Sequence, residues 1–563
     1  MAPAPAGDTA RDHQGLRAVT LAHAIDGWRA YALLALLSLA LYLPGQAALP
    51  PTDRDESRFV QASRQMLESD DFLRIRFQDE PRNKKPAGIY WLQAASVDLL
   101  STPASTAMWP YRLPSLLGAL AAVLLTFGFG QSWIGREAAF VGAALLAASL
   151  ALTVEAHLAK TDAVLLATVV AAQGALGEIY RESRRDEPTG AALPLLFWMA
   201  QGVSLLIKGP ITPLVSLLTG GALAIADRNA RWLGRLRFLW GVPLMLMIAG
   251  PWLIAITVAT DGGFASESVG NDLLGKLIHG QESHGAPPGA YAALALITFW
   301  PGSLALAGAA RLAWRARQEP VIRFVIAWIV PFWLLLEIIP TKLPHYVLPA
   351  YPALALLAGR VLADRVAAGH RHWSDVIAWS LWGLVALVFS AVLMTVPIRL
   401  GESAAPLAIA MIAVALGLAG WLLRSLLRGE ARLWCAIGTP LLLWVAAFGV
   451  ILPGLDALWL SRGAAALVND RRRDLRPVVV AGYAEPSLVF LLGTATKLTN
   501  AADAATILSK LPETLVLVSN REDAAFRAAL GKNGLAVDAL GDVSGLNYSN
   551  GRAVTLTLYE TAR

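Results

Sequence analysis

Charge is what this chain has least of. Only 16% of its 563 residues are Asp, Glu, Lys or Arg, against roughly 25% in soluble domains. That deficit excludes an ordinary soluble globular protein. Cysteine is almost missing as well. The single Cys435 sits in an apolar run, so no internal disulfide forms and cysteine usage is silent on redox compartment. Internal repeats and charged residues at the middle of apolar runs, both expected of a transporter, are not evident; Glu337 is a rare exception near a run's end. The sequence also has no glycine-rich phosphate loop where its C-terminal part begins; only Ala481-Gly482-Tyr483 stands there.

What is abundant is hydrophobicity, at 56% of residues and a mean hydropathy of +0.52. It comes in blocks of about 20 residues, the length that crosses about 30 Å of hydrocarbon. Such blocks lie near 28–47, 111–130, 137–156, 162–180, 192–207, 209–226, 237–258, 290–310, 321–339, 345–364, 374–396, 404–424 and 432–453. The spacing predicts thirteen spans, with only Lys208-Gly209-Pro210 separating two of them. The first block reads as an uncleaved span rather than a signal peptide, whose apolar core would be shorter.

The pI of about 9.4 would suggest nucleic acid were the arginines not placed beside the apolar blocks. With the N-terminus cytoplasmic, loops such as Arg181–Gly190 and Asp227–Arg237 fall inside and carry the arginines, as the positive-inside rule requires. The six lysines before residue 460 (Lys84, Lys85, Lys160, Lys208, Lys276 and Lys342) all fall on the opposite, extracytoplasmic face. Snorkelling at span ends is one account of them; a shared anionic ligand is the other.

The extracytoplasmic segments hold the remaining chemistry. The first loop, 48–110, opens with Asp53-Arg54-Asp55-Glu56-Ser57-Arg58. An amphipathic helix is predicted next, with Phe59, Ala62, Met66 and Leu67 on one side and Arg64, Glu68 and Asp70 on the other. Lys84-Lys85-Pro86 leads into a second helix over Gly88–Leu100, whose Tyr90 and Trp91 suit a membrane interface. His157–Asp162 joins two spans. An acid at that depth is a functional candidate, though Thr161 or Asp162 could also simply cap a helix. Ile339–Tyr346 offers Lys342, His345 and Tyr346 at the depth of a lipid phosphate. In the loop 259–289, His279, Glu282 and His284 are weak candidates for a divalent metal such as zinc, their spacing matching no strong pattern. Residues 1–457 thus form a transmembrane domain. Residues 458–563 alternate strand and helix from Pro477 to Tyr559, as in a small α/β domain with a docking or capping role.

Asp55-Glu56-Ser57-Arg58, Lys85-Pro86 followed by Tyr90-Trp91-Leu92, Arg112-Leu113-Pro114-Ser115, Lys160-Thr161-Asp162-Ala163 and Lys342-Leu343-Pro344-His345-Tyr346 stand in this order. In that order they resemble the membrane glycosyltransferases of the GT-C superfamily, and among these the bacterial lipid A aminoarabinose transferases. Departures are Ala87 after Lys-Pro, Lys84 where the family commonly has an acid, and His345 before the tyrosine. The resemblance implies about thirteen spans with a periplasmic C-terminal domain, in the bacterial inner membrane. It implies transfer of 4-amino-4-deoxy-L-arabinose from undecaprenyl phosphate to a lipid A phosphate, and hence resistance to polymyxin and other cationic peptides. Carried over, Asp55 and Asp162 are the acids at the reacting centre, and Lys85, Arg58 and Tyr346 hold the donor phosphate. Glu56, Lys84, Lys160, Lys208, Lys342 and His345 are further substrate contacts. No cofactor is required, a divalent ion is not excluded, and the partners are the two lipids and the membrane rather than nucleic acid. The alternative is a protein O-mannosyltransferase using a polyprenyl-phosphate mannose donor, whose hydroxyl acceptor would need a general base.

Overall fold

A computed structural model of the chain describes residues 25–268, 270, 286–368, 372–428, 432–471, 476–532 and 534–562. Among them, eight helices are long and apolar enough to cross a membrane: Trp109–Ile134, Asp162–Arg184, Phe238–Ala259, Pro320–Ile338, Pro344–Asp364, Trp373–Arg399, Pro406–Leu427 and Leu433–Gly454. Two more pass as bent pairs. Arg136–Ala148 and Leu150–Ala156 meet at 59°, and Ala290–Thr298 and Gly302–Arg315 at 117°. The chain is a multi-pass membrane protein with eight to ten spans by this measure, where the sequence reading counts thirteen. The other three apolar blocks form Trp28–Tyr42, Ala192–Lys208 and Ile211–Asp227, helices of 15 to 17 residues. At about 1.5 Å per residue these reach roughly 25 Å, short of the hydrocarbon thickness.

Asp162–Arg184 is the central helix, with 17 buried residues from Asp162 to Tyr180. The outer helices turn apolar residues outward instead: Leu239 is 93% exposed and Val258 72%, as lipid-facing positions are. Close packing against the central helix depends on Gly118. A Cβ there would stand 2.7 Å from Val164 Cα, and small residues let membrane helices approach in this way.

The break at Ser149 leaves backbone groups that lipid could not satisfy, and neighbouring residues supply their partners. Tyr42 donates its hydroxyl to the Ala147 carbonyl at 2.8 Å and Trp444 its indole N–H to Ala148 at 2.9 Å. The Leu150 amide donates to the Trp300 carbonyl at 3.1 Å. The break is therefore a fixed bend that re-aims Leu150–Ala156.

After the last span, helix Leu460–Arg471 leads into a five-stranded sheet of order β4-β3-β5-β7-β6. Its strands are β3 (Val478–Ala481), β4 (Lys497–Thr499), β5 (Leu515–Ser519), β6 (Val537–Asn547) and β7 (Arg552–Thr561). β3 runs parallel to β4 and β5, and β7 antiparallel to β5 and β6. β3 and β5 are buried throughout, because helices Leu460–Arg471 and Pro486–Leu492 cover one face and Ala501–Lys510 and Asp523–Lys532 the other. A separate two-residue hairpin, β1 (Arg76–Phe77) with β2 (Glu80–Pro81), lies in the first loop.

Candidate active site

The first loop folds as two helices, Asp55–Ser69 and Gly88–Leu100. Arg64 departs from the expected outward-facing polar side. It is buried, donating to the Phe490 carbonyl at 2.9 Å and to Glu68 at 2.6 Å. The C-terminal domain covers that side of the helix, with Gln61 donating to Thr494 at 2.7 Å and Phe490 packing edge-on to Tyr111.

Glu56 is not open to a substrate. It is 2% exposed and pairs with Arg112, itself fully buried, at 2.8 and 3.0 Å. Arg112 spends its remaining donors on the carbonyls of Gln46, Leu49 and Pro50. Glu56 also accepts from the Ala159 amide at 2.8 Å and from the Thr52 amide and hydroxyl at 2.9 Å. Burial pushes its carboxyl up, but the Arg112 guanidinium and the two amides outweigh this and hold it below the usual range. Its place is that of an anchor tying the loop to the span Trp109–Ile134.

The segment 157–161 is held from several sides. Gln93 donates to the Ala159 carbonyl at 3.0 Å and Ser115 to that of Lys160 at 3.1 Å. His157 turns inward, its ring nitrogens 2.7 and 2.8 Å from the Thr153 and Pro44 carbonyls. Beyond it the central charges converge. Lys208 donates to Asp162 at 2.5 Å. Lys160 lies 2.9 Å from Glu155 and 3.9 Å from Asp162. His345 reaches between the two acids, 3.9 Å from Glu155 and 3.8 Å from Asp162. The Tyr346 ring lies 5.6 Å from the Lys208 ammonium. Thr161 makes no side-chain cap to the helix that begins at Asp162, so Asp162 serves its lysines rather than helix capping. Lys160 feels burial, which would lower it, and the carboxylates of Glu155 and Asp162, which together hold its ammonium above the usual range. Glu155, 2% exposed, escaped the sequence reading. An acid inside an apolar block, seven residues before Asp162, was the available signal.

Gly88 brings the second loop helix to the end of Ala192–Lys208, where a Cβ would stand 2.7 Å from the Leu206 carbonyl oxygen. Asp55, exposed at the start of its helix, exerts its charge on Lys160 and on Tyr90. Arg58 is half-buried one turn further on, and Lys85 half-buried ahead of Gly88–Leu100. Arg82, also missed, is buried, 3.4 Å from the Tyr90 hydroxyl and over the Phe59 ring.

Two of the lysines leave the expected group. Lys84 is exposed. Lys342 is buried and donates to the carbonyls of Glu337 and Ile339 at 3.0 and 2.7 Å, closing the end of Pro320–Ile338. Glu337 accepts from the amides of Gly289, Tyr291 and Ala292 at the start of the earlier helix Ala290–Thr298. Lys276, His279, Glu282 and His284 lie outside the described residues. Among those described, no three His, Cys, Asp or Glu side chains converge in a way that could hold a metal.

At the other end of the bundle the charges are arginine pairs. Asp227 meets Arg323, Arg184 at 3.9 Å and the Tyr180 hydroxyl at 2.6 Å. Arg311 meets Asp375 and Arg181 meets Glu178. The central helix, about 34 Å long at 1.5 Å per residue, joins the two ends.

Residues 47–260 match the family described as dolichyl-phosphate-mannose-protein mannosyltransferase. The chain is 27% identical over 455 residues to the undecaprenyl phosphate-alpha-4-amino-4-deoxy-L-arabinose arabinosyl transferase of Aeromonas hydrophila, covering 78% of this chain and 80% of that one. The crystal structure of ArnT from Cupriavidus metallidurans bound to undecaprenyl phosphate superposes with a TM-score of 0.72 at 18% identity. The match covers 94% of this chain and 97% of that one. The chain is similar to these membrane transferases in sequence and shares their fold. An oligosaccharyltransferase from Archaeoglobus fulgidus shares the fold more distantly, with a TM-score of 0.53 and 11% identity over 88% of this chain and 70% of its own.

Proposed function

We propose that this GT-C enzyme transfers 4-amino-4-deoxy-L-arabinose from undecaprenyl phosphate to a phosphate of lipid A, at the periplasmic face of the bacterial inner membrane. The observation that carries the reading is the gathering of Asp55, Lys160, Lys208 and their carboxylates at one end of a fold shared with a transferase that binds undecaprenyl phosphate. The arginine pairs at the opposite end support a cytoplasmic location for that end.

In the proposed step an oxygen of the acceptor phosphate bonds to the anomeric carbon. The bond from that carbon to the donor phosphate oxygen breaks, and its electron pair leaves with undecaprenyl phosphate. The acceptor is already an anion and needs no general base. Asp55 orients it or binds the ammonium of the sugar. Lys85, Arg58 and Tyr346 hold the donor phosphate, whose charge grows as the bond breaks. Side-chain cations supply that stabilisation in this step. Of the two acids, Asp162 is buried against Lys208 and Lys160, while Asp55 is exposed and is the one given to the substrate.

A second reading, protein O-mannosyl transfer, is favoured by the family description that residues 47–260 match. Mass spectrometry of lipid A from a host lacking such an enzyme, with and without this gene, separates the two. Aminoarabinose mass on lipid A, lost with Asp55→Ala, is expected. Unmodified lipid A alongside newly glycosylated protein would overturn the proposal in favour of mannosyl transfer.

A further inference from the structure

We propose that the C-terminal domain completes the catalytic loop: a clamp closed by Ser487, Tyr548 and Ser549 on Asp53 and Arg54 sets the direction of Asp55. This rests on the reading of Asp55 as the acid at the reacting centre.

Asp55 is the first residue of its helix, so its direction is set by the two residues that lead into it. Arg54 takes a left-handed backbone, φ 66°, which is strained for a non-glycine residue and persists only where neighbours over-determine it. Those neighbours come from the C-terminal domain. The Asp53 amide donates to the Tyr548 hydroxyl at 2.7 Å. The Ser487 amide donates to the Asp53 carboxylate at 3.2 Å. The Arg54 guanidinium donates to the Ser549 carbonyl.

The turn between β6 and β7 that carries Tyr548 and Ser549 is itself pinned. Glu485 accepts from the Asn547 amide group at 2.7 Å and from the Ser549 hydroxyl at 3.2 Å. On the inner side Thr52 is tied to Glu56 and the Ser57 amide to the Thr52 carbonyl. Residues 52–57 are gripped between the membrane domain and the C-terminal domain, and the acid stands in that grip.

The clamp responds to protons. Burial and the facing carboxylate of Glu485 push Asp53 up to about 6, against the pull of the Ser487 amide. The other groups facing it are Tyr548 and Tyr483, both pushed up by burial and by Asp53 itself; Arg54 adjoins it in the chain. A raised carboxyl favours the protonated form in the docked state. Its contribution to docking is complete below the ordinary value of 3.8 and is lost as pH rises through about 6. Acidification tightens the clamp.

The test uses the full-length enzyme in lipid nanodiscs with the undecaprenyl-phosphate-linked aminosugar and lipid A. Tyr548→Phe is expected to lower kcat by about 10- to 100-fold, the effect of a small misplacement of a reacting group. KM for the donor and the melting temperature stay near those of the parent. Asp53→Asn keeps an oxygen for the Ser487 amide and should retain more turnover than Asp53→Ala, while flattening the kcat profile between pH 4 and pH 6. Parental kcat in both Tyr548→Phe and Asp53→Ala would overturn the clamp. So would a lowered melting temperature with parental kcat in the folded fraction, which is the mark of a merely structural contact. Asp55→Asn is run beside them. If it keeps full activity, the role given to Asp55 fails; if it is inactive while Tyr548→Phe and Asp53→Ala both keep parental kcat, the clamp alone fails.

Discussion

Removing Glu56 should unfold this protein before it weakens substrate binding. Glu56→Ala leaves the Arg112 guanidinium, at 0% exposure, with three carbonyls and no counter-charge. Breaking a buried pair in this way costs about 3–5 kcal/mol. Arg112→Ala should be worse, since it strands the Glu56 carboxylate and also orphans the carbonyls of Gln46, Leu49 and Pro50. Thermal unfolding of the purified variants, with the donor KM measured on whatever remains folded, reads both quantities. The carboxyl is held below its ordinary value of 4.5. Its contribution to stability is therefore present above that pH and lost as pH falls through the lowered value. Parent and Glu56→Gln should accordingly converge in melting temperature in acid. A Glu56→Ala protein that melts like the parent yet binds donor poorly would refute the anchor and restore the substrate contact expected from sequence.

Lys342→Met should lose about 1–3 kcal/mol of stability, the worth of charged hydrogen bonds to two buried carbonyls, with kcat/KM of the folded enzyme unchanged in a donor-turnover assay. Lys85→Ala should lose activity and Lys84→Ala much less; equal tolerance of both would count against the phosphate role of Lys85. Asp162→Asn should free Lys208 to bind the product more tightly, raising inhibition by undecaprenyl phosphate about tenfold, which is 1.4 kcal/mol, and slowing turnover; unaltered product inhibition would argue against the pairing seen here.

The sequence carried most of the architecture because its signals are local. Block length marks the spans, and short continuous apolar runs mark β3 and β5, whose residues are buried throughout. The helix Gly88–Leu100 and the order of elements in the C-terminal domain were equally legible. What sequence could not supply was which polar groups face each other across 50 or 400 residues. Glu56 and Asp55 are neighbours in the chain, yet one turns into a closed network with Arg112 and the other stays exposed. Lys342 looked like Lys208, but its helix end offered carbonyls rather than a carboxylate. Arg64 looked solvated because the surface that covers it, around Phe490, lies 426 residues away. The bend at Ser149 carries no glycine or proline; it rests on partners at Tyr42, Trp300 and Trp444.

Pairing the lysines with acids looks wasteful in a site meant for phosphate, since each carboxylate competes with the ligand. The charge on that ligand changes during the reaction, and this resolves the conflict. The lipid-linked sugar is a phosphodiester with one negative charge; the departing lipid phosphate carries close to two. Bare lysines would grip both states. On the proposed reading, lysines already held by Glu155 and Asp162 would gain little from the singly charged donor and more from the charge that appears as the glycosidic bond breaks. That is the differential stabilisation catalysis requires. The carboxylates also hold Lys160 above its usual range despite burial, so the cation is present before the substrate arrives. On the same reading the acids would reclaim their lysines as the product leaves, lowering the barrier to release from a site that would otherwise hold a phosphate dianion tightly.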